Sequence, residues 1–165
     1  IGSVGISGMQ SHYFEHFMEG LCDAQGVKLS DCFANSFCLS ADVSNAFDPN
    51  WPETCDKRNN SQLNYGVAIC KYTGSRGKGG ASDASAEAMG HVRSTLDKAG
   101  VIWQIATLGK VDQGGGGTVA AYMANRNIVT VDAGVPVLSM HAPLELVSKL
   151  DCYETMLACK AIYLA

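Results

Sequence analysis

The chain has 165 residues, 47% of them hydrophobic and 17% charged, enough for one domain with a real core and too few for two large ones. A net charge of -4 and a pI near 5.5 exclude the clustered basic surface of a nucleic-acid-binding protein. No apolar stretch approaches the roughly 20 residues of a membrane helix, so neither nucleic acid nor membrane is an expected partner. Ile1 stands in place of an initiator methionine, which suggests a fragment or a processed chain. Seven cysteines form no C-x-x-C pair and cannot all pair internally, which points to a reducing, cytoplasmic setting.

Taken in chain order, residues 12–21 carry apolar side chains at 13, 14, 17, 18 and 21, one face of a helix capped by Ser11 and ending near Gly26. Residues 36–43 read as a buried strand, 47–60 as a loop with two prolines, and 65–72 as the next strand. The run Gly74-Ser-Arg-Gly-Lys-Gly-Gly80 reads as a flexible turn. A helix follows from Ser82 to about Lys98, with hydroxyls at Ser82 and Ser85 to cap it and Gly100 to stop it. Residues 101–108 are expected as strand, 117–125 as helix, 128–131 as strand and 144–164 as a long terminal helix. The alternation predicts an α/β fold with a mostly parallel or mixed sheet and helices on both faces. Ligands then gather at the strands' carboxyl ends.

Two residues stand at such ends. Asp42 follows the apolar run Ser36-Phe-Cys-Leu39 and opens a loop-like segment, and His141 ends the apolar run of Val135-Pro-Val-Leu-Ser-Met-His141. A carboxylate oxygen and a neutral imidazole are both good zinc ligands; either residue alone serves equally well as a turn former or a hydrogen-bonded side chain. A second metal-binding pattern is His12-Tyr-Phe-Glu15-His16, an H-x-x-E-H string on a predicted helix. There the two imidazoles stand at i and i+4, with a solvated helix face as the competing reading. The glycines of Gly114-Gly-Gly-Gly-Thr118 precede a helix, but no P-loop lysine and hydroxyl follow. They suit close passage of the chain past a ligand or a neighbouring strand. Lys71, at a strand end, is the basic residue best placed to reach such a ligand.

Together these segments resemble the aspartyl aminopeptidases and vacuolar aminopeptidase I, a family of dinuclear zinc exopeptidases, along nearly the whole chain. Residues 1–11 are similar to the stretch after that family's Glu-Glu pair. Leu39-Ser-Ala-Asp-Val43 with Asp48-Pro-Asn50 resembles its third zinc-ligand segment, and Leu138-Ser-Met-His-Ala142 its last. The wording of residues 71–78 and 109–118 is most similar to the bacterial branch. The resemblance implies a three-layer zinc-exopeptidase fold, with residues 1–165 as the carboxyl-terminal part of an incomplete catalytic domain. It implies that Asp42 binds one zinc and His141 the other, that Lys71 helps hold a peptide substrate, and that Gly116, Gly117 and Thr118 form a turn near the pocket. Where the aspartyl-specific branch has a histidine three residues after the metal aspartate, this chain has Asn45 at the substrate, at variance with specificity for acidic residues. His12 falls where relatives need no ligand.

The Glu-Glu pair itself, with the general-base glutamate, would lie immediately before Ile1, so no catalytic residue is assigned within the chain. The earlier histidine ligand, the bridging aspartate and a dimerisation domain would also lie upstream. The implied parent enzyme removes amino-terminal residues from peptides with two zinc ions and forms a homo-oligomer, a dodecamer in the family. By itself the chain is expected to be inactive. The alternative is a scaffold or assembly module whose surface, rather than a metal, carries the function.

Overall fold

The structure, a computed structural model, describes residues 3–76, 79, 82–110 and 112–165. Its elements in chain order are helix α1 (Tyr13–Ala24), helix α2 (Leu29–Ala34), strand β1 (Phe37–Asn45), a single 3-10 turn (Pro52–Thr54) and strand β2 (Val67–Cys70). Strand β3 (Gly74–Ser75), helix α3 (Ala86–Ala99), strand β4 (Trp103–Ile105) and strand β5 (Gly115–Gly116) follow. Helix α4 (Ala120–Ala124), strand β6 (Val129–Leu138), strand β7 (Leu146–Val147) and helix α5 (Lys149–Tyr163) complete the described chain.

The main sheet runs β1-β6-β2-β4, with β7 added along β6. It is mixed: β1 with β6 and β2 with β4 are parallel, whereas β6 is antiparallel to both β2 and β7. Alternation along the strands sorts the two faces. Val67, Ile69, Val131 and Ala133 point to one side, where Met89, Val92 and Leu96 of α3 and Ala158 of α5 close the core over them. Their neighbours Ala68 and Cys70 join a smaller apolar cluster with Ala106. Short α4, packed on β6 and β1, lies after the glycine loop that faces Asp132.

Local chemistry sets the helix ends. Ser85 caps α3 by accepting the Ala88 N–H at 3.1 Å, and Gly100 closes it in the left-handed region at φ 68. The terminal helix starts at Lys149 rather than 144, because Leu146 and Val147 first pair with Leu138 and Val137 and Ser148 then caps α5. The strand expected at 128–131 extends to Leu138 through Pro136. Proline is tolerated there because β2 pairs only as far as Gly134 and β7 begins at Val137, so no ladder bond is demanded of it on that edge. Gly77, Lys78 and Gly80 of the expected turn lie outside the described residues. Gly74 and Ser75 pair with Gly116 and Gly115 as a two-stranded ribbon, bringing the two glycine-rich segments together.

Candidate metal centre and its cleft

Parallel pairing of β1 and β6, in register from Phe37 opposite Val129 to Asn45 opposite Val137, brings both strands out at one end of the sheet. Asp42 was expected at the strand's end and instead lies three residues inside it, because the ladder with β6 continues to Asn45. The side chain is nevertheless exposed, and its Oδ1 accepts the N–H of Val43 at 2.7 Å. His141 follows Leu138 by three residues in a turn closed by the Ala142 N–H on the Ser139 carbonyl at 2.9 Å. Ser139 and His141 both take positive φ, 57° and 67°. Such backbone costs about 1 kcal/mol at a non-glycine residue and persists where surrounding bonds enforce it. Here the His141 N–H donates to the Glu145 carboxylate, which holds the turn.

Asp42 and His141 line the same open cleft of about 360 Å³, together with Asn45, Gly116, Gly117 and Thr118. Six of the seven residues that the resemblance assigns to metal or substrate thus line one cleft. Asn45 is fixed from below, its side-chain N–H donating to the Cys55 sulfur at 3.5 Å and its carbonyl accepting the Ser61 hydroxyl at 2.8 Å. The glycine wall needs glycine for a steric reason: Gly115 has φ 96, and a Cβ there would lie 2.1 Å from the Gly74 carbonyl oxygen. Lys71 is the residue the structure leaves outside the cleft lining; its ammonium is paired with Asp83.

The H-x-x-E-H string does other work. His12 Nδ1 lies 2.7 Å from Glu15 Oε2, and Arg126 Nε lies 2.7 Å from Glu15 Oε1. The carboxylate is therefore committed to a tether between α1 and the end of α4. Arg126 also donates to the Met9 and Ser11 carbonyls, drawing the amino-terminal segment onto the same point. Among the described residues no group of three His, Cys, Asp or Glu side chains is placed to hold one metal ion.

One polar residue near the cleft escaped the sequence reading. Asp132, mid-way along β6, is 7% exposed and accepts the Thr118 hydroxyl at 2.8 Å and the Thr73 hydroxyl at 3.4 Å. Burial pushes its carboxyl above the ordinary range, the Ser40, Thr118 and Thr73 hydroxyls pull it back, and the Asp42 charge adds to the rise. A charged residue inside the otherwise apolar run 128–138 was the available signal.

Comparison with known proteins gives this arrangement a family. The model of the family described as Aminopeptidase I zinc metalloprotease (M18) matches residues 1–163. A probable M18 family aminopeptidase 1 of Clostridium acetobutylicum is 50% identical over 159 residues, covering 94% of this chain and 34% of the relative. The crystal structure of an M18 aminopeptidase from Thermotoga maritima superposes with a TM-score of 0.93 at 42% identity, over 98% of this chain and 37% of that one. A dodecamer of mApe1 from S. cerevesiae, 23% identical, shares the fold with a TM-score of 0.76 over 99% of this chain and 35% of that one. The chain spans about a third of the length of the curated relatives it matches. By sequence and by fold it belongs to the M18 family of aminopeptidase I zinc metalloproteases.

Proposed function

We propose that this chain carries part of the centre of a zinc aminopeptidase that releases amino-terminal residues from peptides, with Asp42 and His141 each supplying a ligand to one of two zinc ions. The observation that carries this reading is that the two side chains line one cleft in a chain of a zinc metalloprotease family. The donor set fits: a carboxylate oxygen and an imidazole nitrogen are ordinary zinc ligands, and four are needed per tetrahedral ion. With two of its own, the chain depends on donors from elsewhere. Bound zinc supplies Lewis acidity and lowers the pKa of water. The rest is the work of this chain's residues. The bonds at Ser139, Ala142 and Glu145 aim His141, β1 fixes Asp42, and Asn45 and the Gly116-Gly117-Thr118 wall shape the space for the peptide.

Residues 1–165 are read as the carboxyl-terminal part of the catalytic domain. Lys71 reaches substrate only by leaving Asp83. The seven free cysteines support a reducing, cytoplasmic setting. Exposed Leu144, Leu146, Leu150 and Tyr153 support burial of this face in a homo-oligomer, of which the S. cerevesiae dodecamer is the example.

Zinc or cobalt titrated into the isolated chain is expected to bind weakly, with Asp42→Ala and His141→Ala each weakening it by about tenfold or more. No hydrolysis of aminoacyl substrates is expected. Metal binding indifferent to both substitutions, or turnover that depends on His12, would overturn the assignment.

A further inference from the structure

Asp132 is a carboxylate in a place where a sheet has no structural need of one. It stands opposite Ser40 of β1 and Cys70 of β2, in the middle of the main sheet. Burying a carboxylate is costly unless its oxygens are bonded. The bonds it receives come from hydroxyls on two separate elements, Thr73 after β2 and Thr118 before α4, with Ser40 of β1 opposite it in the register. Of these two, Thr118 is the residue that also lines the cleft with Asp42 and His141.

The Thr118 hydroxyl is fully described by its bonds. Its proton goes to Asp132 Oδ1 at 2.8 Å, and its oxygen accepts the Ala120 N–H at 3.2 Å. A threonine hydroxyl has one proton and two lone pairs, so what is left for a ligand is a single acceptor site. The polarity of that contact is set by Asp132, which lies beneath it.

We propose that Asp132 is a positioning residue for peptide binding: by taking the Thr118 proton it makes Thr118 an acceptor only, matched to an N–H of the peptide in the cleft. The inference rests on the peptide-substrate reading of that cleft. It also gives the adjoining glycines Gly116 and Gly117 a fixed anchor, since Thr118 ends their loop.

Asparagine at 132 keeps the shape and turns an amide N–H toward Thr118, which frees the threonine proton to point into the cleft and oppose a donor there. In the full-length native enzyme, assayed on aminoacyl p-nitroanilides, Asp132→Asn is expected to raise KM by about tenfold, the worth of one hydrogen bond, with kcat within about twofold. Thr118→Val is expected to match it, Thr118→Ser to restore most of the loss, and the double variant Asp132→Asn with Thr118→Val to be no worse than Thr118→Val alone. A merely structural role would instead lower kcat through loss of active protein, with KM unmoved. In the 165-residue chain, hydrogen exchange of the Ala120 amide is expected to quicken by about tenfold in Asp132→Asn. Wild-type kinetics in Asp132→Asn, multiplying effects in the double variant, or unchanged Ala120 exchange would each overturn the proposal. Absence of turnover in the wild-type enzyme would instead overturn the peptidase reading on which it rests.

Discussion

Gly134 is opposite Asp42 in the β1–β6 register, and opposite Ala68 of β2 on its other side. A Cβ at this glycine would stand 2.5 Å from the Asp42 carbonyl oxygen and 2.8 Å from the Val43 carbonyl carbon, backbone atoms that cannot swing away. Gly134→Ala is therefore expected to cost about 2 kcal/mol by overpacking and to weaken metal binding at Asp42. Gly90 is the control, since it lies within α3 and a Cβ there meets nothing within 4 Å. Gly90→Ala is expected to gain roughly 0.5–1 kcal/mol through helix propensity. Urea midpoints of the two variants moving in the same direction would refute the steric account. At this scale the shared cleft of Asp42 and His141 was foreshadowed because each follows an apolar run, a pattern visible along the chain. Asp132 carried a signal, a charge inside a mostly apolar run, but local pattern does not show the Thr73 and Thr118 hydroxyls that meet it from other elements. The ion pair of Lys71 was hidden for a related reason: its partner Asp83 is twelve residues away in the chain, and sequence pattern does not show the pairing.

Single elements are held at their ends by a few polar side chains. Asp151, fully buried in the first turn of α5, accepts the N–H groups of Asn64 and Gly66 at 2.8 and 2.9 Å, tying the terminal helix to the loop that feeds β2. Asp151→Ala leaves those donors without their partner and is expected to cost about 3 kcal/mol, whereas Ser85→Ala removes a helix cap worth about 1 kcal/mol. Urea unfolding with an unchanged slope measures both, and equal losses would contradict the ranking. The tether of α1 is instead pH-dependent. Glu15 is held below the ordinary carboxylate range, chiefly by the His12 hydrogen bond and further by the Arg126 charge, with desolvation acting the other way. A lowered folded-state pKa gives stability that is present above the unfolded value, near 4.3, and lost as pH falls through the folded one. Faster hydrogen exchange in α1 is therefore expected on acidification below about pH 4, with no such step in Glu15→Gln. An identical step in that variant would remove Glu15 as the cause. Helices α1, α3 and α5 and strands β1, β2 and β4 were legible from periodicity. Helix α2, six residues between α1 and β1, was too short to show a period, and the β3–β5 ribbon joins segments about forty residues apart through the backbone of Gly74, Ser75, Gly115 and Gly116.

Considered whole, the molecule exposes one long edge. All nine residues of β1 pair with β6 on one side, and among the described residues no strand lies along the other. An uncovered edge of this length is a template for pairing with another chain. Beside it runs an apolar groove of about 470 Å³ lined by Phe14, Phe33, Phe37, Leu39, Ala41 and Tyr163. Natural edges of this kind carry lysine, proline or a bulge, and β1 has no lysine or proline, with Asp42 as its one charge. Sequence pattern revealed β1 as a buried strand but gave no sign that one edge is bare, because pairing partners are set by topology rather than by local period. The consequence is concrete for the isolated chain. It is expected to associate with itself as concentration rises, through the β1 edge and the groove. Lysine at Ala41 places a charge at the exposed groove wall while leaving the backbone ladder to β6 intact. Light scattering coupled to size exclusion is expected to show Ala41→Lys shifted toward the 17.4 kDa monomer relative to the unaltered chain. If the unaltered chain stays monomeric at the highest soluble concentration, the edge is protected in a way that its pairing does not show.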